Sequence, residues 1–498
     1  MPDVMLPATF LALLAEFRPV FTELSFANWV VLSSGFIHSV GYHRVTDALR
    51  AAGPAATKHF TSYYRFFSRG RWSLDGLGLS LLALVLRLWR VEVVDLVLDD
   101  TLVRRSGKKV ALGSMHGDPL LKQGGRPFSS YGHVYVVLAV HVSCSAIAST
   151  GWALPFLFRL YQGSRRGGRK NAPSDDRRCY HRRRRGVAQR RRVRLTDEHV
   201  LKGKVVQGAL REDDGTLPAE LRPKKTELAT ELILLVARKF PHVRFRVLAD
   251  HLYNGKTVLH AVLSEVDNVD IVVRGRSDAA LYELPQPRKP GQRGRPRTKG
   301  IRLPNPVEWA QQHPDLFETV TTHMYGKEVS VEVASFVGMA YRSLPGRLLR
   351  YVIVRDQLGF YKTDYLISTN LELPAAHVLS AYSRRWPLER TFQDTKQKLG
   401  LQDTQLQMPS SVRRHPPLTM ILYSLIVIWF IQHGRDWMRK TTTYRDPWYD
   451  KTERPSFTEM LATLRRAGWA GGILDPSCPS PHLQEKLLSY LVRVVAVA

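Results

Sequence analysis

Along the first 88 residues, apolar positions recur in steps of three and four, with Phe10, Leu13, Leu14, Phe17 and Val20 opening the series. That spacing belongs to helices with one buried face. The period then changes. Residues 91–99 read VEVVDLVLD, a short β-branched run that ends in two carboxylates, Asp99 and Asp100. Val110 to Ser114 is expected as a second strand. From Tyr131 to Val142 the residues Val134, Val136, Leu138, Val140 and Val142 alternate with period two and give a third. Thr226 to Lys239 sets Leu228, Leu232, Leu235 and Val236 on one side of a helix, and the strand VRFRVLAD at 243–250 follows, ending in Asp250. A helix over Lys256 to Val266 leads to the strand DIVVRGR at 270–276.

Three strands, a helix, a strand, a helix and a strand is the element order of an α/β, RNase H-like core. At ~150 residues per domain, 498 residues suggest about three domains. The pattern divides them into a helical N-terminal region, 1–88, with a second part rich in Arg and aromatic residues that can lie against DNA. A first part of the core, 89–274, follows, then a β-rich insertion, 275–373, and a second part of the core, 374–403. The helical C-terminal region is 404–498. Strand-like pieces in the insertion fall near Thr319–Tyr325, Val329–Val337, Tyr351–Asp356 and Thr363–Thr369. The most apolar run, Leu418 to Ile431, is 14 residues, short of the ~20 needed to span a bilayer, so it reads as a buried helix. No membrane partner is expected. The opening MPDVMLPATF lacks a basic n-region, and the three cysteines fit neither a disulfide framework nor a zinc site. A cytoplasmic, nucleoid-associated protein is expected.

Charge narrows the partners. Lys and Arg outnumber Asp and Glu by 73 to 44, a net charge of +29, far beyond what solubility needs, which points to a polyanion. Ser164 to Arg194 alone holds 14 Lys or Arg against Asp175 and Asp176, and reads as a solvated, anion-seeking loop. Residues 287–300, PRKPGQRGRPRTKG, contain no acid; Arg293 and Arg295 lie in an Arg-Gly-Arg-Pro core suited to a narrow minor groove.

The richest segment is AAHVLSAYSRRWPLERTFQDTKQKLGLQD, residues 375–403. Tyr382, Arg385, Glu389, Phe392 and Lys396 follow steps of three, four, three and four along one helix face. Pro387 either kinks that helix or starts a new one. Trp386 is expected beneath the Glu389 helix, with stacking on an unpaired base as its alternative. His116 with Asp118, and His251 beside Asp250, are weaker candidates for assisting a metal or water. Three carboxylates meeting at a sheet edge would repel one another unless hard divalent cations screened them, and that defines a two-metal phosphoryl-transfer site.

The Tyr-x2-Arg-x3-Glu-x6-Lys signature at Tyr382, Arg385, Glu389 and Lys396, the Asp-x-Thr strand end at Asp99 to Thr101, and Asp250 together resemble a DDE transposase. The resemblance is to the insertion-sequence 4 type, including the insertion-sequence 701 branch, and covers roughly residues 91–403. It implies an RNase H-like fold and a catalytic, metal-binding triad of Asp99, Asp250 and Glu389, with Asp100 as the alternative first acid. It implies Mg²⁺, or Mn²⁺, as cofactor. Tyr382, Arg385 and Lys396 would contact DNA near the cleaved strand. The implied activity is hydrolysis at transposon ends and transfer of the 3′-hydroxyl into target DNA, carried out by a homodimer in a synaptic complex on double-stranded DNA. A nuclease that cuts without joining and a catalytically dead DNA-binding descendant are the rival readings.

Overall fold

The computed structural model describes residues 4–107, 109–123, 126–144, 148–163, 222–287, 294–355, 363–441 and 455–473. Five helices come first: α1 (Ala8–Ala15), α2 (Glu23–His38), α3 (Val45–Ala52), α4 (Phe60–Ser68) and α5 (Leu74–Leu88). Side-chain oxygens start two of them: Thr22 accepts from the Ser25 amide and Ser73 from the Gly76 amide. Four strands follow, β1 (Val93–Arg104), β2 (Ser114–Gln123), β3 (Arg126–Cys144) and β4 (Ala148–Tyr161). The chain continues through α6 (Lys225–Lys239), β5 (Arg244–Ala249), α7 (Leu259–Leu263) and β6 (Val269–Arg274).

β3 pairs antiparallel with both β1 and β4, while β1, β5 and β6 run parallel to one another. The order β4-β3-β1-β5-β6, with helices in the crossovers, is the RNase H-like core. Its strands differ from the sequence reading in two respects. β1 does not end at Asp99 and Asp100 but runs on to Arg104, because pairing with β3 continues past both acids. Residues 110–113 form a turn rather than a strand, β2 pairs only with the beginning of β3, and the third core strand is β4. The pattern concealed β4 for two physical reasons. WALPFLF is apolar without alternation because residues 151–160 are buried throughout, and Pro155 argues against a central strand. The structure accommodates that proline with a bulge: Leu138 faces Leu157 and Ala139 faces Pro155, so Phe156 is the extra residue.

Beyond β6 the same sheet continues. A short pair, β7 (Leu281–Tyr282) with β8 (Arg302–Leu303), and α8 (Pro306–Gln312) precede β9 (Glu318–Met324), β10 (Lys327–Gly338), β11 (Leu349–Arg355) and β12 (Asp364–Ser368). β12 pairs antiparallel with β6, and β11, β10 and β9 follow outward, so these strands extend the core sheet. Helices α9 (Ala375–Ser383) and α10 (Trp386–Lys398) come next, then α11 (Pro409–Trp429), α12 (Arg435–Thr441) and α13 (Phe457–Ile473).

The helical ends and the sheet share one apolar core that includes Phe10, Trp29, Leu81, Val97, Leu157, Leu232, Val272, Trp429 and Leu464. α5 approaches β4 so closely that a Cβ at Gly78 would lie 1.9 Å from the Phe156 carbonyl oxygen. The helical stretch Pro409–Met438 is long and apolar enough to cross a membrane, yet its apolar residues from Leu418 to Phe430 are buried inside the protein. Pro416 and Pro417 sit within α11, and Pro416 cannot donate to the Val412 carbonyl. The Tyr135 hydroxyl donates to that carbonyl at 2.7 Å instead.

A buried ion triad ties three elements together. Arg159 on β4 donates to both Asp75 oxygens on α5, at 2.7 and 2.8 Å, and to Glu231 on α6 at 2.8 Å. Asp75→Ala strips the buried guanidinium of its bidentate partner and leaves both terminal nitrogens short of an acid, with Glu231 still on Nε, so it should cost about 3 kcal/mol in urea unfolding. Burial also holds His38 and His133 down to about 4 and His415 down to about 3; His415 lies between Phe36 and Phe67 with no hydrogen-bond partner on either nitrogen. Below the ordinary imidazole value near 6.5 the unfolded chain takes up protons that the native one does not. Stability is therefore expected to fall as pH drops from 6.5 toward 4, by up to about 1.4 kcal/mol per pH unit for each histidine, and thermal melts across that range check it.

Candidate active site

Register brings the first two acids together. Leu98 on β1 is level with Ala249 on β5, so the next residues, Asp99 and Asp250, lie side by side where β5 ends. Asp99 and Asp100 point to opposite faces, as successive strand residues do. The Asp99 carboxylate accepts from Arg385 Nη1 at 2.7 Å, and Glu389 accepts from Arg385 Nη2 at 2.9 Å. Asp100 takes different partners, Lys225 Nζ at 2.6 Å and the Tyr253 hydroxyl at 3.3 Å. Lys225 and Tyr253 carry no spacing signal, since they reach Asp100 only through the packing of α6 and the turn after β5.

The signature segment forms two helices rather than one. α9 ends at Ser383, and α10 begins with Pro387 in its first turn, where a missing amide hydrogen costs nothing. The break presents Arg384 and Arg385 to β1: Arg384 pairs with the buried Asp95, which also accepts from Arg246 at 2.6 Å, and Arg385 pairs with Asp99. Glu389 lies in the first turn of α10, the positive end of the helix. α10 is fixed by Thr391, whose hydroxyl donates to the Ala153 carbonyl on β4 at 2.9 Å. Past its end, Gly400 adopts φ +60°, and a Cβ there would lie 2.4 Å from both the Asp403 carboxylate and His43 Cβ.

Electrostatics follow from this packing. Burial pushes the Asp99 carboxyl up to about 6 against the opposing pull of Arg385 and the Asp100 amide. Burial opposes the Arg385 charge, but Asp99, Tyr382, Glu389 and Asp250 together keep its pKa above the ordinary guanidinium value. The Tyr382 phenol is raised to about 12, chiefly by burial, with the charge of Asp250 adding to the shift. Asp250 itself contacts His251 Nδ1 at 3.3 Å.

Lys396 lies two helical turns beyond Glu389, about 10 Å along the axis. Its ammonium is lowered to about 8 by burial and by Arg104, with Asp118 opposing. Asp118 is held by Arg104 and the Ser130 hydroxyl, each at 2.7 Å, and His116 bonds Ser114 at 2.8 Å. Trp386 is not beneath α10: it is 40% exposed, with the Arg390 guanidinium over its ring. Arg295 is exposed on the loop between β7 and β8. At the foot of that loop Lys299 sits between the Tyr282 and Tyr341 rings at 4.7 and 4.5 Å. Arg293 and Ser164 to Arg194 lie outside the described residues.

Asp99, Asp250 and Glu389 offer oxygen donors only, the ligand type a hard divalent ion takes, and a cation would offset the burial that raises Asp99. Arg385 now lies between two of them. Among the described residues no three His, Cys, Asp or Glu side chains converge closely enough to hold an ion.

The chain belongs to the DDE superfamily endonucleases, the family that matches residues 16–329, more than half of the sequence. That match contains Asp99 and Asp250 and stops before Glu389. No curated protein matches the chain. Among solved structures, the chain is similar to the piggyBac transposase synaptic complex with hairpin DNA, at 10% identity and a TM-score of 0.34, covering 98% of this chain and 82% of that one.

The Lys396 environment is testable by itself. NMR titration of methylated lysines should give the Lys396 signal a midpoint near 8, and Arg104→Gln should move it upward by removing the neighbouring positive charge.

Proposed function

We propose that this endonuclease is a DNA transposase of the insertion-sequence 4 type, with the insertion-sequence 701 branch as its nearest pattern. It cuts phosphodiester bonds at the ends of a mobile element and joins the freed 3′-hydroxyl to target DNA. The observation that carries the reading is the convergence of Asp99 with Glu389 through Arg385, with Asp250 in register beside Asp99. All lie on a chain of net charge +29 that belongs to an endonuclease family.

In this reading Asp99, Asp250 and Glu389 hold Mg²⁺ or Mn²⁺, and Asp100, engaged by Lys225 and Tyr253, does not. Divalent ions supply the Lewis acidity for in-line displacement at phosphorus without a covalent protein nucleophile. The protein supplies position. Tyr382, Arg385 and Lys396 border the carboxylates along α9 and α10 and contact backbone phosphates, and Arg295, with Arg293, reaches duplex DNA from the loop after β7. The N-terminal helices add a second DNA surface. Residues 48–74 carry five Lys or Arg and no acid, and α4 exposes Phe60 (50%) and Tyr64 (43%) beside Arg65. Two protomers would pair two element ends, as joining both ends to one target requires.

The test uses labelled duplex carrying element ends, with Mg²⁺. Asp250→Asn and Glu389→Gln should each reduce strand cleavage by about 10²-fold or more while leaving DNA affinity intact. Lys396→Gln should weaken binding and lower the log–log salt slope by about 1. Joined products support transposition. Cut ends without joining would make the protein a nuclease, and cleavage unchanged by both acid variants would contradict the assigned site.

A further inference from the structure

Arg385 is asked to do two things at once. Both of its terminal nitrogens are engaged with carboxylates, Asp99 at 2.7 Å and Glu389 at 2.9 Å, and its side chain is only 19% exposed. A guanidinium in this bridging pose cannot also present its fork to a DNA phosphate, and the oxygens it holds are the ones a divalent ion would need. Two cations cannot occupy the same small space between Asp99 and Glu389 at little cost, because like charges a few ångströms apart repel, and most strongly on the Asp99 side, where Asp99 and Arg385 are largely covered.

We propose, resting on the transposase reading, that Arg385 is an exchangeable internal cation. In the DNA-free protein it bridges Asp99 and Glu389 and weakens divalent-ion binding there. When DNA binds, a backbone phosphate takes the guanidinium and releases both carboxylates to the metal. The exchange improves local charge balance: one guanidinium against two carboxylates leaves one negative charge in excess before, whereas a phosphate on the guanidinium and a divalent ion on the two carboxylates leave none after. It couples metal loading to DNA occupancy, so the hydrolytic site is assembled only where there is a phosphodiester to act on. By reciprocity, the ion then strengthens DNA binding by the same factor.

Neighbouring groups allow this exchange without collapse of the site. Arg384, one residue earlier, is tied to Asp95 together with Arg246, so the α9–α10 junction stays on β1 when Arg385 leaves. Lys225 neutralises Asp100 on the other face, so Asp100 does not take over the guanidinium. The Tyr382 ring lies 5.9 Å from the Arg385 guanidinium carbon and gives it an apolar flank toward which to turn.

The experiment measures Mn²⁺ affinity by electron paramagnetic resonance on the full chain without DNA, so that no turnover is read. Arg385→Gln should bind Mn²⁺ at least about tenfold more tightly than the wild type, and Glu389→Gln should abolish that gain. Arg390→Gln removes an equal charge from an exposed side chain next to Glu389 whose guanidinium lies over Trp386, and should leave the affinity unchanged. Equal or weaker binding by Arg385→Gln overturns the exchange, as does an equal gain in Arg390→Gln, which would mean general electrostatics. Should Arg385→Gln fail to fold, Arg385→Lys, which keeps the charge but cannot span both carboxylates, decides the matter by binding Mn²⁺ more tightly than the wild type or not. If no form binds Mn²⁺, with or without DNA, the metal-site reading itself fails and the proposal falls with it. Binding by the wild type that Arg385 variants do not alter overturns the exchange alone.

Discussion

Two adjacent arginines on two carboxylates of one strand face hold this site in place. Asp95 and Asp99 are four residues apart on β1, so their side chains lie on the same face, and Arg384 and Arg385 meet them from the break between α9 and α10. Everything catalytic in the proposal depends on that docking. It sets the start of α10, puts Glu389 one turn in, and leaves Lys396 two turns further toward Arg104 and Asp118. The cost of burying these charges is met by pairing, and Asp95, the most enclosed, takes two arginines.

The sheet contributes the other half. Parallel pairing of β1 with β5 fixes Asp250 beside Asp99 through backbone hydrogen bonds, independent of side-chain choice, whereas Glu389 arrives on a helix and depends on packing. Thr391 on Ala153 and the glycine at 400 are therefore part of the site, although neither would touch DNA. The core itself is drawn from both ends of the chain. Trp429 bonds Thr9 at 2.9 Å, and Arg414 reaches the Gly70 carbonyl at 2.8 Å, so the terminal helices brace α11 and, through it, β4.

Much of this was legible in the sequence because local pattern and local chemistry coincided. β1 and β5 announced themselves as β-branched runs leading into acids, although β1 continues past Asp99 and Asp100 to Arg104; Pro387 left a kink or a new helix open, and the structure has the new helix; the strands from 318 to 368 lie close to the strand-like pieces of the sequence. β4 was hidden because full burial removes alternation and a proline sits at its bulge. Trp386 was misplaced because a helix-period pattern gives the face of a residue only when the helix has one partner, and α10 meets β1, β4 and α11 together. The choice between Asp99 and Asp100 was open in sequence, since adjacent strand residues differ only by face. The structure distinguishes them by their partners, Arg385 for one and Lys225 with Tyr253 for the other, each more than a hundred residues away.

The most direct measurement is a structure of the chain with Mn²⁺ and a duplex bearing a free 3′-hydroxyl, with the ions located by their anomalous scattering. The account predicts Mn²⁺ density shared by Asp99, Asp250 and Glu389, with the Arg385 guanidinium on a DNA phosphate and Asp100 still held by Lys225. Density on Asp100 instead, or an Arg385 that still bridges Asp99 and Glu389 beside bound DNA, would contradict it.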